Sequence, residues 1–283
     1  MTTASTARRP GGAGAGGEER IVAPRTRSSR TASVLVPPLV TAIVGLIGWQ
    51  LLSARDGTSL TGPVTTFRTL LELTFNGQLA SDLGRTLVLM GIGFTGSAIA
   101  GVLIGLVLGS KSLADRGLSP YLVGLQSLPS AVWIPLAVII GGTNVTSVIA
   151  VTVLGAIPSI AIGTRDAVHT IPPLIIRAAQ TLGARGRTMM TRVVIPAALP
   201  GIVDGLQHGW AFAFRSLIAA ELILGTGIGA FLGVAKKEDR VDKVLSVVIA
   251  VLIVGLVVDR LGFARIRRTL RRRRGMPVVG DLL

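Results

Sequence analysis

The polar side chains that interrupt apolar sequence are the first place to look for chemistry in this chain. Asp204, Gln207, His208 and Arg215 lie in an otherwise apolar stretch. At about 100° per residue, His208 falls about 40° and Arg215 about 20° from Asp204 on a helix, so the three share one face with Gln207 beside them. Ionisable groups inside a membrane are costly and face a bundle interior or a watery cavity. Two readings fit this face: the lining of a translocation path, or a structural network such as Asp204 with His208 at i, i+4. Enzymatic groupings are missing. His169 and His208 are the only histidines, and there is no cysteine. Metal-ligand spacing, a thiol nucleophile and a disulfide are thereby excluded. No G-x-x-x-x-G-K-[ST] occurs, so the chain has no P-loop. Gly225, Gly227 and Gly229 lack the further glycine and the preceding strand of a dinucleotide loop.

The elements that must carry these residues are membrane helices. Only 15% of the 283 residues are charged, 49% are hydrophobic, and the mean hydropathy is +0.67; a soluble domain carries about 25% charged residues. A spanning helix needs about 20 mostly apolar residues. Six segments qualify: 34–53, 83–109, 119–141, 145–164, 199–224 and 244–262. The fold class expected is therefore all-α, a polytopic bundle of six transmembrane helices. Its transmembrane domain runs over 34–264, between a disordered basic tail at 1–33 and a basic tail at 265–283. Gly142, Thr143 and Asn144 make a tight turn between the third and fourth segments. In the second segment Gly93, Ser97, Gly101, Gly105 and Gly109 recur every four residues. They form a small-residue ridge about 24 Å long, for packing within one subunit or between two.

The net charge of +15 sets topology; it does not indicate nucleic acid, which is not an expected partner. Basic residues crowd the first tail (Arg8, Arg9, Arg20, Arg25, Arg27, Arg30), the loop after the second segment (Lys111, Arg116), the 165–198 loop (Arg165, Arg177, Arg185, Arg187, Arg192) and the last tail with its boundary (Arg260, Arg265, Arg267, Arg268, Arg271–Arg274). The opposite loops hold Arg55, Arg68, Lys236, Lys237, Arg240 and Lys243. The positive-inside rule then predicts both termini in the cytoplasm and external loops at 55–82, 142–144 and 225–243. The 165–198 loop is more than a linker. After Pro172 and Pro173, residues 174–190 favour a helix that Gly183 and Gly186 interrupt.

That loop reads Arg177-Ala178-Ala179-Gln180-Thr181-Leu182-Gly183, then Val193-Val194-Ile195-Pro196. It resembles the coupling loop of binding-protein-dependent ABC importer permeases, E-A-A-x-x-x-G followed about nine residues later by I-x-L-P. Ala178, Ala179, Gly183, Ile195 and Pro196 match, and Arg177 stands where the family has glutamate. Small alanines allow close approach to a partner, glycine permits a sharp turn, and proline is expected to stop the helix. Leu128-Pro129 with Trp133-Ile134-Pro135-Leu136, and Ala219-Ala220-Glu221 with Gly227-Ile228-Gly229, are similar to stretches of the sulfonate, taurine and nitrate branch. Ile140-Gly141-Gly142 departs from that branch's W-F-G ending.

The resemblance implies a permease subunit of the plasma (inner) membrane, embedded in lipid and not an enzyme. Arg177, Ala178, Ala179, Gly183, Ile195 and Pro196 would couple it to ABC ATPase subunits. Its implied partners are those ATPases, an extracytoplasmic substrate-binding protein and a second copy of itself. ATP would be used by the ATPase, with no cofactor bound by this chain. A small anion is the implied cargo, and Asp204, Gln207, His208 and Arg215 would line its path. The alternative is a secondary transporter driven by an ion gradient. It calls for inverted repeats or broken helices with acidic ion sites, and no repeat is visible.

Overall fold

The computed structural model describes residues 27–55 and 59–273. Most of the expected basic tails, 1–26 and 274–283, lies outside them. Among the described residues the chain is helical, with no strand. Residues up to Leu51 form one compact unit and Leu52–Leu283 another.

In the first unit, α1 (Arg27–Ser53) begins seven residues before the expected start. Its apolar side chains, Leu39, Val40, Ile43, Val44 and Ile47 among them, are exposed. In the second, α2 (Pro63–Phe75) occupies what composition marks as a connecting loop. Pro63 opens it, where a missing N–H costs no helical hydrogen bond. Next come α3 (Gln78–Ser110), α4 (Ser112–Ser127), a short 3₁₀ turn (Ser130–Val132), α5 (Trp133–Gly141) and α6 (Val145–His169). Asn144 caps α6, its side chain accepting the Ser147 N–H at 3.1 Å. After α7 (Pro173–Thr181), a continuous helical path runs through α8 (Gly186–Met189), a wide π-type turn (Met190–Val194) and α9 (Ile195–Leu224). Then α10 (Gly227–Lys237) precedes α11 (Val241–Val257), which passes through a second wide turn (Val258–Phe263) into α12 (Ala264–Arg273).

Among the described residues, four helices are long and apolar enough to cross a membrane: Gln78–Ser110, Val145–His169, Gly186–Leu224 and Val241–Leu270. One further apolar helix pair is bent, as a broken span or a re-entrant loop would be. The expected straight span at 119–141 is instead α4 and α5, meeting at 97° around Leu128 and Pro129. Pro129 has no N–H to donate and holds its predecessor out of the helical region, so the helix ends at Ser127. Pro196 was expected to stop a helix and does not. It sits at the start of α9 directly after the five-residue wide turn, where the shifted hydrogen-bond register accommodates the proline.

The core is three helices held together by missing side chains. The α3 ridge packs on α6, within the chain. A Cβ added at Gly101 would lie 2.7 Å from Ile160 Cβ, and one at Gly109 2.6 Å from Val168 Cβ. Gly93 meets Thr152, and Gly105 meets Ala161 and Thr164. On its other side α6 meets α9 the same way: a Cβ at Gly163 would lie 2.6 Å from Gly205 Cα, and Gly209 faces Ile160. Ile160, fully buried, is thus wedged between glycines of two different helices. Such backbone approach supplies the dispersion contact that a lipid solvent does not drive by itself.

Candidate functional site

The motif-bearing segment 172–196 takes its shape from one glycine. Pro172 and Pro173 start α7, and Gly183, with φ +85°, ends it. Ala184 N–H donates to Ala179 C=O at 2.9 Å and Gly183 N–H to Gln180 C=O at 3.0 Å, the paired closure of a Schellman cap. A side chain at 183 would strain this left-handed turn, which gives the glycine of the motif a local reason. No residue of α7 is buried. Arg177, Ala178 and Gly183 are exposed and Ala179 is half-buried. Leu174, at 76%, and Leu182, at 88%, also stand free. Only Ile176 packs inward, on the cluster of Ile171, Val194, Ala198 and Ile202. Ile195 is half-buried and Pro196 exposed, both on the helix that follows. The structure therefore gathers the motif into a projecting helix and the foot of α9.

On α9 the polar face divides. Asp204, His208 and Arg215 are exposed along one side. His208 Nδ1 lies 2.8 Å from the Asp204 backbone carbonyl, so the carboxylate is not its partner. Gln207 turns elsewhere. It bonds Asp259 through its amide nitrogen and accepts from Arg267 through its oxygen, and Arg267 also reaches Asp204 at 3.5 Å. Asp204 and His208 border a cavity of about 740 Å³ that extends to Pro172 and Ile175 beside α7. Arg215 borders a smaller one of about 350 Å³ at the α4–α5 break, and Gln126 lines both.

Glu221, six residues beyond Arg215, is not the latter's partner. It is fully buried. The Thr86 hydroxyl lies 2.9 Å from both carboxyl oxygens, and Gly229 N–H donates to one of them at 3.2 Å. Ile228 N–H donates to Thr86 Oγ1 at 3.0 Å. The carboxyl group thus takes up the open N–H groups at the start of α10 and ties α3, α9 and α10 together. Gly227 and Gly229 leave the room it needs, since a Cβ on either would strike Glu221. Residues 219–221 and 227–229 are two parts of one joint. The sequence marked both but had no signal for Thr86. Nor did it show that Asp115 pairs with Arg165, at 2.5 and 3.0 Å, across α4 and α6.

A bundle of membrane-spanning helices with a projecting short helix and cavities along a polar face is the architecture of a membrane transport subunit. Residues 97–271 match the family described as the inner membrane component of binding-protein-dependent transport systems. The chain belongs to that family. A protein of Brucella melitensis named as a probable ABC transporter permease is 30% identical over 231 residues, covering 81% of this chain and 94% of that protein. The nitrate import permease protein NrtB of Synechocystis is 29% identical over 236 residues, 80% of this chain and 86% of that one. The bicarbonate transport system permease protein CmpB of Synechococcus elongatus is 30% identical over 236 residues, 79% and 85%. Among solved structures, an inward-facing MetNI methionine ABC transporter chain shares the fold at TM-score 0.58 and 21% identity. The match covers 68% of this chain and 98% of that chain. The chain is thus the permease component of an ABC importer, a transport subunit rather than an enzyme, and the one broken span does not make it a gradient-driven carrier.

Proposed function

We propose that this permease forms the membrane path for a small anion delivered by an external binding protein. In this reading the transport domain is 34–264 with six crossings, α1 supplying the first, and two copies pair around the path. Both termini lie in the cytoplasm. The basic residues crowded at the tails and at 165–198 support that orientation. Ala178, Ala179 and Gly183, with Arg177, Ile195 and Pro196 around them, contact the ATPase. ATP is consumed there, and this chain binds no cofactor of its own. The ATPase cycle moves α7, and the permease switches between outward and inward openings.

One observation carries the anion reading. Arg215 is an exposed cation on the face of α9 beside a cavity, and it forms no ion pair among the described residues. The names of the nitrate and bicarbonate relatives agree with it. The test is ATP-dependent uptake into proteoliposomes holding permease, ATPase and binding protein, with nitrate, bicarbonate and methanesulfonate offered separately. Import of at least one is expected; import confined to cations or uncharged solutes would overturn the reading. Topology is checked by single cysteines, the chain having none. Residues 60 and 237 are expected to react from the external side and residue 178 from the cytoplasmic side.

A further inference from the structure

The break between α4 and α5 opens a chamber with polar groups in a mainly apolar wall. Irregular backbone at membrane depth persists where it is buried in protein or lines a water-filled cavity. The cavity of about 350 Å³ here has Gln126, Ser127 and Ser130 on the side of the break, and Arg215 and Ser216 across from them on α9. Trp133 closes one wall.

Two of its side chains, Arg215 and Ser216, keep unspent donors. The Arg215 guanidinium gives one N–H to the Ala211 carbonyl of its own helix at 3.2 Å and sits 5.1 Å above the Phe212 ring. Its terminal nitrogens have no partner among the described residues. Ser216 is fully buried, and its hydroxyl has no hydrogen-bond partner. A buried hydroxyl left unpaired is costly, so its presence calls for something that pairs with it. No acidic side chain lines this cavity, whereas Asp166 and Asp204 line the larger one that Gln126 shares. A guanidinium, hydroxyls and an amide around a small volume suit a compact group with several acceptor oxygens.

We propose that this cavity is a binding subsite for a small oxyanion, held by Arg215 and the hydroxyls of Ser216 and Ser130. It rests on the anion reading above and gives that anion a place at the break, with Gln126 between it and the larger cavity. The structure also separates a binding role from a structural one at Ser216. Removing an unpaired buried hydroxyl relieves the protein itself, so Ser216→Ala raises or preserves thermal stability while it weakens anion binding.

The full-length chain in nanodiscs, carrying Ala131→Cys on the cavity wall as its sole cysteine, provides the test. N-ethylmaleimide reacts with it while nitrate or methanesulfonate is titrated against chloride at constant ionic strength. The expected result is slower labelling with either oxyanion. Half-protection moves about tenfold or more higher in Arg215→Gln, and severalfold higher in Ser216→Ala with no loss of Tm. No protection by either anion would overturn the subsite. So would protection that persists in Arg215→Gln, or a cysteine that is unreactive before anion is added because lipid or a second copy covers the cavity. Anion import by the complete transporter with an unprotected cysteine rejects the subsite and leaves the transport reading standing. Protection without anion import does the reverse.

Discussion

Two stretches of α9 treat ionisable side chains in opposite ways. Near α10, Glu221 is fully buried with a hydroxyl and a backbone N–H on its carboxyl group. Between residues 204 and 215, Asp204, His208 and Arg215 stand exposed, and His208 and Arg215 bond backbone carbonyls of their own helix. The same helix thus uses one charged group as a joint and keeps the others available. Burial with saturated partners marks a residue whose loss destabilises the fold. Exposure with only local bonds, as at His208 and Arg215, marks one whose loss the fold tolerates; Asp204 also lies 3.5 Å from Arg267.

The largest effect is expected at the joint. Glu221→Ala leaves Gly229 N–H buried without its acceptor and Thr86 with only the Asp82 carbonyl at 3.1 Å, a loss of about 3 kcal/mol once the vacated space is included. A lower Tm in detergent and less assembled complex should follow. Glu221→Gln keeps an acceptor oxygen and should cost about 1 kcal/mol. Gly229→Val should resemble Glu221→Ala, since its side chain takes the same space. Normal stability in all three would erase the contrast between the two stretches.

Arg215→Gln comes next. Transport should fall about tenfold, the worth of one charged hydrogen bond, with the amount of assembled complex unchanged. Loss of assembly would place Arg215 with Glu221 as a structural group. Outside α9, Gly183→Val forces a side chain into a left-handed turn at a strain of about 1–2 kcal/mol. Because the turn is exposed, insertion should survive while ATP hydrolysis loses its link to uptake, read as phosphate released per anion imported. The smallest effect belongs to Gln207→Ala. It cuts the connection from α9 to Asp259 and Arg267 and should cost about 1 kcal/mol, with transport within about twofold of the unaltered protein.

Much of this was legible from residue order. Apolar run lengths gave the long helices, because a fixed hydrocarbon thickness demands a fixed number of residues. The four-residue glycine spacing gave the α3 ridge, because one helical face is a local property. Asp204, His208 and Arg215 fell on one face for the same reason. The bend at Leu128–Pro129 escaped notice because apolar composition continues through it. Gln207 was grouped with its helical neighbours, yet its partners lie more than fifty residues away on the α11–α12 path.

Periodicity, spacing and composition depend on neighbours along the chain, and they alone established an all-α membrane bundle, its projecting α7 and its polar α9 face. The tertiary structure alone decided that the ridge meets α6, that Thr86 serves Glu221, and that Arg215 and Ser216 face a break in another helix. Those are contacts between residues distant in sequence. They arise only when several helices have chosen their mutual depth and rotation, and no local pattern records that choice.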